Sequence, residues 1–395
     1  MYLAKGIVVV DNPFENKHFI YNKKQRQKYE INEDMTYLLD FINKHSTMTK
    51  KELASSFEDI EDILDFLLEA EIITEQESDN EFAIKKISES NLARLFIECT
   101  DSCNLSCPHC YGSFGNKKHS RLSIEALENL LYNAAQIGVY EVDITGGEPF
   151  MFPQIKELFQ LLYKYGMITT LFTNLTLCTE KHLILIKEYG IKTIVTSIES
   201  ASESVHDQFR GVKGSLHNTI KNINWLVENG IEVKVNYVLG NHNISDAKKN
   251  IDFICSLGVC CNIDVTTPEG RAEKGDFDLN AALDVLKSYN DNSISQNCGV
   301  GKRMLFIASD GTLYPCPSIQ ERNFSYGNIY YTYDLKEAFS NVFTKFDSFK
   351  CNSQCGIEEC SGGCRARALH LMGNIYKQDP YYCTIYGRDE KKCMN

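Results

Sequence analysis

Residues 93–110 read ARLFIECTDSCNLSCPHC, an apolar run that passes directly into closely spaced cysteines. The first six residues have the length and aromatic, β-branched character of a strand. Cys103, Cys107 and Cys110 then fall on the loop that follows it, in a C-x3-C-x2-C spacing. Three thiolates so close in the chain can hold three corners of a 4Fe–4S cube and leave the fourth iron without a protein ligand. An iron with an open position is a place for a small molecule to bind and react. Zinc is the alternative, with His109 or Cys99 as a fourth ligand.

The pattern around this loop repeats. Further strands are expected at 141–144, 168–172, 193–198, 231–239 and 262–265. Helices are expected between them at 124–136, 154–165, 181–188, 216–228 and 245–256. Six β/α repeats imply parallel strands in an open barrel or a wound sheet. In such barrels chemistry sits at the carboxyl ends of the strands.

A length of 395 residues suits two or three domains, and 43% hydrophobic content supports a sizeable core. A net charge of −12 lacks the basic footprint that nucleic acid requires, and it fits anionic membrane surfaces poorly. No apolar stretch approaches a membrane span, and the four-residue run at 7–10 is too short for a signal peptide. A cytoplasmic protein is therefore expected. In that reducing compartment 16 cysteines point to metal rather than disulfides, with Cys178 and Cys255 the candidates for plain buried thiols.

Several later segments accompany the cysteine loop in a fixed order. Thr145-Gly146-Gly147-Glu148-Pro149 ends the second strand, and Thr173-Asn174 ends the third. Ser197-Ile198-Glu199 ends the fourth, followed by His206-Asp207-Gln208-Phe209-Arg210-Gly211. In these motifs the chain resembles the radical S-adenosylmethionine (SAM) superfamily. The resemblance implies a partial (β/α)6 TIM-like barrel, a SAM-binding 4Fe–4S cluster on Cys103, Cys107 and Cys110, and SAM itself. It implies that Gly146, Gly147, Glu148 and Pro149 form the SAM-binding loop and that Thr173 and Asn174 lie near the SAM. Ser197 and Glu199 would lie near its ribose, and Arg210 would help position its carboxylate. Glu199 departs from the aspartate common in the family. The implied chemistry is reductive cleavage of SAM to a 5′-deoxyadenosyl radical that abstracts hydrogen from a substrate, with a flavodoxin- or ferredoxin-type reductant.

Beyond residue 297 the cysteines recur: Cys298, Cys316, then Cys351-x3-Cys355-x4-Cys360-x3-Cys364, then Cys383. This order resembles a SPASM domain, although that family commonly shows x2 then x5 in the central group. The resemblance implies two auxiliary 4Fe–4S clusters, one on Cys298, Cys316 and Cys364 and one on Cys351, Cys355, Cys360 and Cys383. No cysteine stands at 292–297 to complete the first. Either that cluster keeps an open site able to hold a substrate thiol, or Cys260 or Cys261 folds back onto it. Cys393 reads as a spare thiol. Apolar periodicity is poor here, so a loop-rich segment folded around metal is expected.

Residues 1–90 open with strand-like pieces at 6–10 and 18–21, followed by three helical stretches and a strand at 72–74. Small helices followed by a hairpin describe a winged helix. Its third helix carries Glu58, Asp59, Glu61, Asp62, Asp65 and Glu69, which would repel phosphates. The arrangement resembles the RiPP recognition element, which captures leader peptides as an added strand against its third helix. A domain that merely caps the barrel is the alternative. The expected organisation is thus 1–90 a winged-helix recognition element, 91–275 a radical SAM core and 276–395 a SPASM domain. The expected function is a maturase that installs a thioether or carbon–carbon crosslink in a ribosomally made precursor peptide with a leader sequence, with thioether preferred. An oxidase resembling anaerobic sulfatase maturases, and a non-catalytic winged-helix metal regulator, are the alternatives.

Overall fold

The protein is described by a computed structural model covering residues 1–57, 59–87, 91–115, 120–274, 279–289, 299–300, 303–331, 334–347, 351 and 363–385. The chain opens with β1 (Tyr2–Leu3), β2 (Ile7–Asn12), β3 (Lys17–Asn22) and β4 (Gln27–Glu30). Three helices follow: α1 (Glu33–Lys44), α2 (Lys50–Ser56) and α3 (Glu61–Glu69). Asn32 caps α1 by accepting Met35 N–H, and Thr49 with Glu52 forms a capping box on α2.

The strands after these helices do not form the expected hairpin. β5 (Ile73–Thr74) pairs with β1, and β6 (Ile84–Lys86) joins β2 in parallel. The result is a four-stranded sheet in the order β4-β3-β2-β6. Because side chains alternate across a strand, its two faces meet different partners. Ile7, Val9 and Ile20 pack with Leu39, Leu64 and Leu67 of the helices. Val8, Val10, Phe19 and Tyr21 pack with Ala93, Tyr140 and Ile168. Ala93 and Tyr140 immediately precede barrel strands and Ile168 opens one, so the N-terminal sheet covers the amino end of the barrel.

The barrel strands are β7 (Arg94–Glu98), β8 (Glu141–Thr145), β9 (Ile168–Phe172), β10 (Thr193–Ser197), β11 (Glu232–Leu239) and β12 (Cys260–Val265). Helices α4 (Ile124–Gln136), α5 (Ile155–Lys164), α6 (Glu180–Glu188), α7 (Glu203–Arg210), α8 (Ser215–Glu228) and α9 (Ala247–Ser256) connect them. All six strands are parallel and adjacent in chain order. Alternate residues such as Leu95, Ile97, Val142, Ile144, Leu171 and Ile194 join one core with the helices. The other face carries Phe96, which packs 5.2 Å from Phe172, and the Arg94–Asp143 ion pair. A wound sheet would need helices on both faces, so one apolar and one polar face favours the open barrel. Cys178 is buried as expected, but Cys255 is exposed near the end of α9, its side chain off the buried stripe of Ile251 and Ile254.

The C-terminal third is more regular than expected. It holds α10 (Leu279–Tyr289), β13 (Met304–Ile307), β14 (Leu313–Tyr314), α11 (Leu335–Asp347), α12 (Arg365–Met372) and α13 (Pro380–Ile385). β13 extends the barrel sheet in parallel beside β7, and β14 returns antiparallel. The sheet is therefore eight-stranded, ending at β12 and β14.

Two fully buried lysines join the N-terminal sheet to the barrel. Lys85 Nζ donates to Tyr165 O at 2.6 Å, and Lys23 Nζ donates to Leu162 O at 3.1 Å. Both acceptors are carbonyls at the end of α5, where the helix dipole favours a donor or cation. Burial nevertheless pushes Lys85 down to about 7 and Lys23 lower than usual. A lysine that binds its proton more weakly folded than unfolded makes stability rise with pH between its folded and unfolded values. From pH 7.5 to 9.5 the wild-type protein should gain up to about 1.4 kcal/mol per pH unit relative to Lys85→Met. Denaturant unfolding across that range reads the slope, and parallel curves would contradict it.

Candidate functional site

The cysteine loop lies where the carboxyl ends of β7, β8 and β9 meet, and its backbone is held from several sides. Gly147 N–H donates to Thr100 O at 2.8 Å, and Glu148 N–H donates to Ser102 O at 2.8 Å. A Cβ placed on Gly146 would lie 2.4 Å from Thr100 O, and one on Gly147 the same distance from Ser102 O. No side chain fits there. The two glycines let the loop after β8 lie directly against the cysteine loop.

Asn174, after β9, donates to Asn104 Oδ1 at 3.0 Å, and Asn104 donates to Thr176 Oγ1 at 2.8 Å. Ser106 N–H donates to Arg210 O at 3.2 Å. From the loop after β12, Arg271 donates through Nε to Cys107 O at 2.7 Å and through Nη1 to Phe114 O at 2.5 Å. Arg271 belongs to no motif recognised in the sequence; its place just beyond a barrel strand is the available signal.

Within this frame Cys107 is buried, and Cys103 and Cys110 are partly exposed. Burial pushes the Cys103 thiol up to about 12, with Cys107 and Cys110 among the neighbouring groups that disfavour its thiolate. A thiol so buried ionises readily only beside a strong local positive charge, as bound metal supplies. The sulfurs do not converge: among the described residues no three His, Cys, Asp or Glu side chains gather as ligands of one ion do. Donors spread along a loop suit separate irons of a cube better than one zinc ion. The residues present therefore fit an iron–sulfur cluster.

Beside the thiols lies a buried charge cluster. Arg210 donates through Nη1 to Cys107 Sγ at 3.5 Å and through Nη2 to Glu199 Oε1. His242 Nε2 lies 3.0 Å from Glu199 Oε2, and His109 Nε2 lies 3.8 Å from Oε1. The Phe209 ring is stacked between these two imidazoles, 5.0 Å from His109 and 3.6 Å from His242. Burial alone would raise the Glu199 carboxyl, but Arg210 and the histidines outweigh it and hold the group well below the usual carboxylate range. Burial pushes His109 down to about 4, which keeps it neutral. Arg210 Nε and His109 Nδ1 are buried without a hydrogen-bond partner, so this cluster retains unused polar groups next to the thiols. His242 and Phe209 are further members that sequence motifs do not single out.

Glu148 lies between the loops after β8 and β9. It is fully buried and accepts from Phe150 N–H at 3.1 Å, Thr173 Oγ1 at 2.7 Å and Asn174 N–H at 2.8 Å. Burial outweighs these bonds and pushes its carboxyl up to about 7. A carboxylate offers about four acceptor positions, so three are spent, one within the loop after β8 and two on the segment after β9. Pro149 opens the short 3-10 turn that carries Phe150. Ser197, partly exposed at the end of β10, lies two residues before Glu199.

Of the cysteines expected to hold auxiliary clusters, Cys298, Cys355 and Cys360 lie outside the described residues, as does Cys393. Cys316 lies just after β14, and its Sγ accepts from Ser318 N–H at 3.4 Å. Cys364 caps α12 and Cys383 lies in α13. Both are tied to the buried Asp379, whose Oδ2 accepts Cys364 N–H at 2.8 Å and whose carbonyl accepts Cys383 N–H at 3.1 Å. Ser318 Oγ reaches Glu269 beyond the carboxyl end of β12, at 3.0 Å. Cys260 starts the same strand, roughly 16 Å away along extended chain. Cys260 thus lies at the amino end of β12, whereas Ser318 contacts the segment beyond its carboxyl end.

Comparison with known proteins agrees with this geometry. Residues 97–254 match the radical SAM superfamily, and residues 298–365 match the SPASM iron–sulfur cluster-binding domain. The chain is 27% identical to the antilisterial bacteriocin subtilosin biosynthesis protein AlbA of Bacillus subtilis, over 69% of this chain and 67% of that protein. It is 24% identical to the AdoMet-dependent heme synthase of Methanosarcina barkeri, over 75% of this chain and 97% of that one. Its fold resembles Streptococcus suis SuiB bound to S-adenosylmethionine over 100% of both chains, with a TM-score of 0.66 at 18% identity. The same protein has been solved bound to its precursor peptide SuiA, with a TM-score of 0.65 at 17% identity. The chain thus combines a radical SAM domain with a SPASM domain, and its cofactors are S-adenosylmethionine, a 4Fe–4S cluster and auxiliary iron–sulfur clusters.

Proposed function

We propose that this protein is a peptide maturase that forms a thioether or carbon–carbon crosslink in a ribosomally synthesised precursor. The observation that carries this reading is the likeness to SuiB, which extends over the whole chain and so includes the N-terminal sheet and helices. The relation to AlbA, named for bacteriocin biosynthesis, points the same way.

In this reading Cys103, Cys107 and Cys110 hold the SAM-binding cluster, and SAM bound there supplies the hydrogen-abstracting radical. Arg210 presents a fixed positive charge beside the thiols, and Glu199 keeps that charge from being stranded in a buried site. Gly146, Gly147, Glu148, Pro149, Thr173 and Asn174 hold the three strand ends at one separation, with Ser197 at the rim. Cys298, Cys316 and Cys364 hold the first auxiliary cluster, whose open iron would take a substrate thiol. Cys351, Cys355, Cys360 and Cys383 hold the second.

Residues 1–90 act as the recognition element. Among the described residues β4 pairs with β3 alone, which leaves its outer edge open to an added strand. Tyr29 on β4 contacts Phe66 on α3 at 6.2 Å, and Phe66 and Ile63 are exposed beside it. Glu61, Asp62, Asp65 and Glu69 are also on α3 and all four are exposed, so the leader should carry basic residues. Because the N-terminal sheet covers the amino end of the barrel, a bound leader must run along the barrel wall to the cysteine loop. A barrel strand's height is ~17 Å, so at least about six extended residues must separate leader from modified segment.

Two outcomes test the reading. Phe66→Ala with Ile63→Ala should weaken anisotropy-measured binding of the leader at least 10-fold while SAM cleavage under dithionite is retained, and the wild-type enzyme should remove two hydrogens from the precursor by mass spectrometry. Unchanged binding would remove the N-terminal element from recognition, and heme-precursor turnover with no peptide product would favour the heme-synthase relationship. Neutralising one partner of a buried ion pair costs about 3–5 kcal/mol. Glu199→Gln should therefore lower the unfolding free energy by that order, and a loss below about 1 kcal/mol would show that Arg210 does not depend on it.

A further inference from the structure

Resting on the reading above, which requires one electron from outside, we propose that the outer loops after β8, β9 and α7 form the docking surface for a small acidic electron carrier. The cysteine loop comes to the surface here. Ser106 and Pro108 are exposed on either side of the buried Cys107. Three exposed apolar residues surround this point: Met151 at 37%, Leu177 at 38% and Val212 at 36%. Each is adjacent in sequence to a residue fixed to the loop or its support. Thr176, before Leu177, bonds Asn104 at 2.8 Å. Gly211, before Val212, lies against Ser106, since a Cβ on it would sit 2.3 Å from Oγ. Phe150, before Met151, bonds Glu148 and stacks on His182 at 4.5 Å.

The charge on these segments runs against that of the whole chain. Over 151–157, 176–182 and 211–221 the exposed charged side chains are Lys156, Lys181, Lys213 and Lys221 against Glu157 and Glu180, in a protein of net charge −12. The first turns of α5, α6 and α8 also open here, adding partial positive charge. A basic, apolar-centred patch beside the exposed part of the cysteine loop fits a partner with an acidic rim and an apolar-edged redox group, such as a reduced flavin or a small iron–sulfur centre. One electron leaves that centre and enters the cluster held by Cys103, Cys107 and Cys110; no proton or bond is exchanged. The barrel's polar inner face is left free for substrate.

The test uses the anaerobically reconstituted full-length enzyme and the variant Lys181→Glu/Lys213→Glu/Lys221→Glu, with 5′-deoxyadenosine formation driven by either reduced flavodoxin or dithionite. Electrostatic steering changes association rates by about 10-fold or more. The flavodoxin-driven initial rate, at limiting flavodoxin, should fall by that order in the variant while the dithionite-driven rate stays within about twofold of wild type. The wild-type flavodoxin rate should also fall as salt rises from about 50 to 300 mM, because screening shortens the reach of surface charge. Equal flavodoxin rates for both proteins, or a salt-independent wild-type rate, would overturn the docking surface. Absence of 5′-deoxyadenosine with either reductant in the wild-type enzyme would instead overturn the underlying functional reading.

Discussion

The organisation of this protein depends on holding three thiols at one place by everything except the thiols themselves. Burial makes the Cys103 sulfur costly to charge, and the thiols supply little of the loop's own stability. The backbone supplies it. Thr100 and Ser102 accept from the glycine loop after β8, Asn104 is fixed from β9, Ser106 from the end of α7, and Cys107 O from Arg271 after β12. Four segments thus specify one short loop, and each comes from a different β/α repeat. The barrel is the device that brings those segments together, and the parallel register of its strands sets their height.

The charge cluster of Glu199, Arg210, His109 and His242 adds a second constraint on the same loop. Arg210 spans from the carboxylate to Cys107 Sγ, so its position couples the fourth strand to the cysteines. A glutamate in place of the family's aspartate lengthens the reach from β10. In this fold that reach ends on Arg210 and His242 rather than at open space. The N-terminal sheet is a third layer, sealed to the opposite end of the barrel by Val8, Val10, Phe19 and Tyr21 and by two lysines inserted onto α5. The N-terminal sheet is thus joined to the barrel by packed contacts rather than by a linker alone.

Much of this architecture is legible in the amino-acid sequence. The barrel strands and helices follow from local periodicity, and α4 and β9 begin and end at the expected residues. The cysteine and glycine loops are legible because their spacing is set by covalent geometry at one site. The N-terminal topology is not, since β5 and β6 pair with β1 and β2 across the intervening helices and no local pattern encodes such a partner. The C-terminal helices are obscured because the cysteines and glycines between them read as loop, although α10, α11 and α12 contain neither residue. Glu148 stands in the motif read as the SAM-binding loop, and its further place as a buried acceptor between two loops follows only from the fold. His242 on a turn and Arg271 on a short 3-10 helix are single polar residues, and only their location beyond strand ends marks them.

The central claim is that Cys103, Cys107 and Cys110 leave one iron of a cube open to S-adenosylmethionine. Electron paramagnetic resonance of a variant in which Cys298, Cys316, Cys351, Cys355, Cys360, Cys364 and Cys383 are alanine isolates that cluster. Reduced under anoxic conditions, it should show a single cubane signal whose g-values move when SAM is added. A signal that is unchanged by SAM, or no cubane signal in a protein that remains folded, would contradict the account.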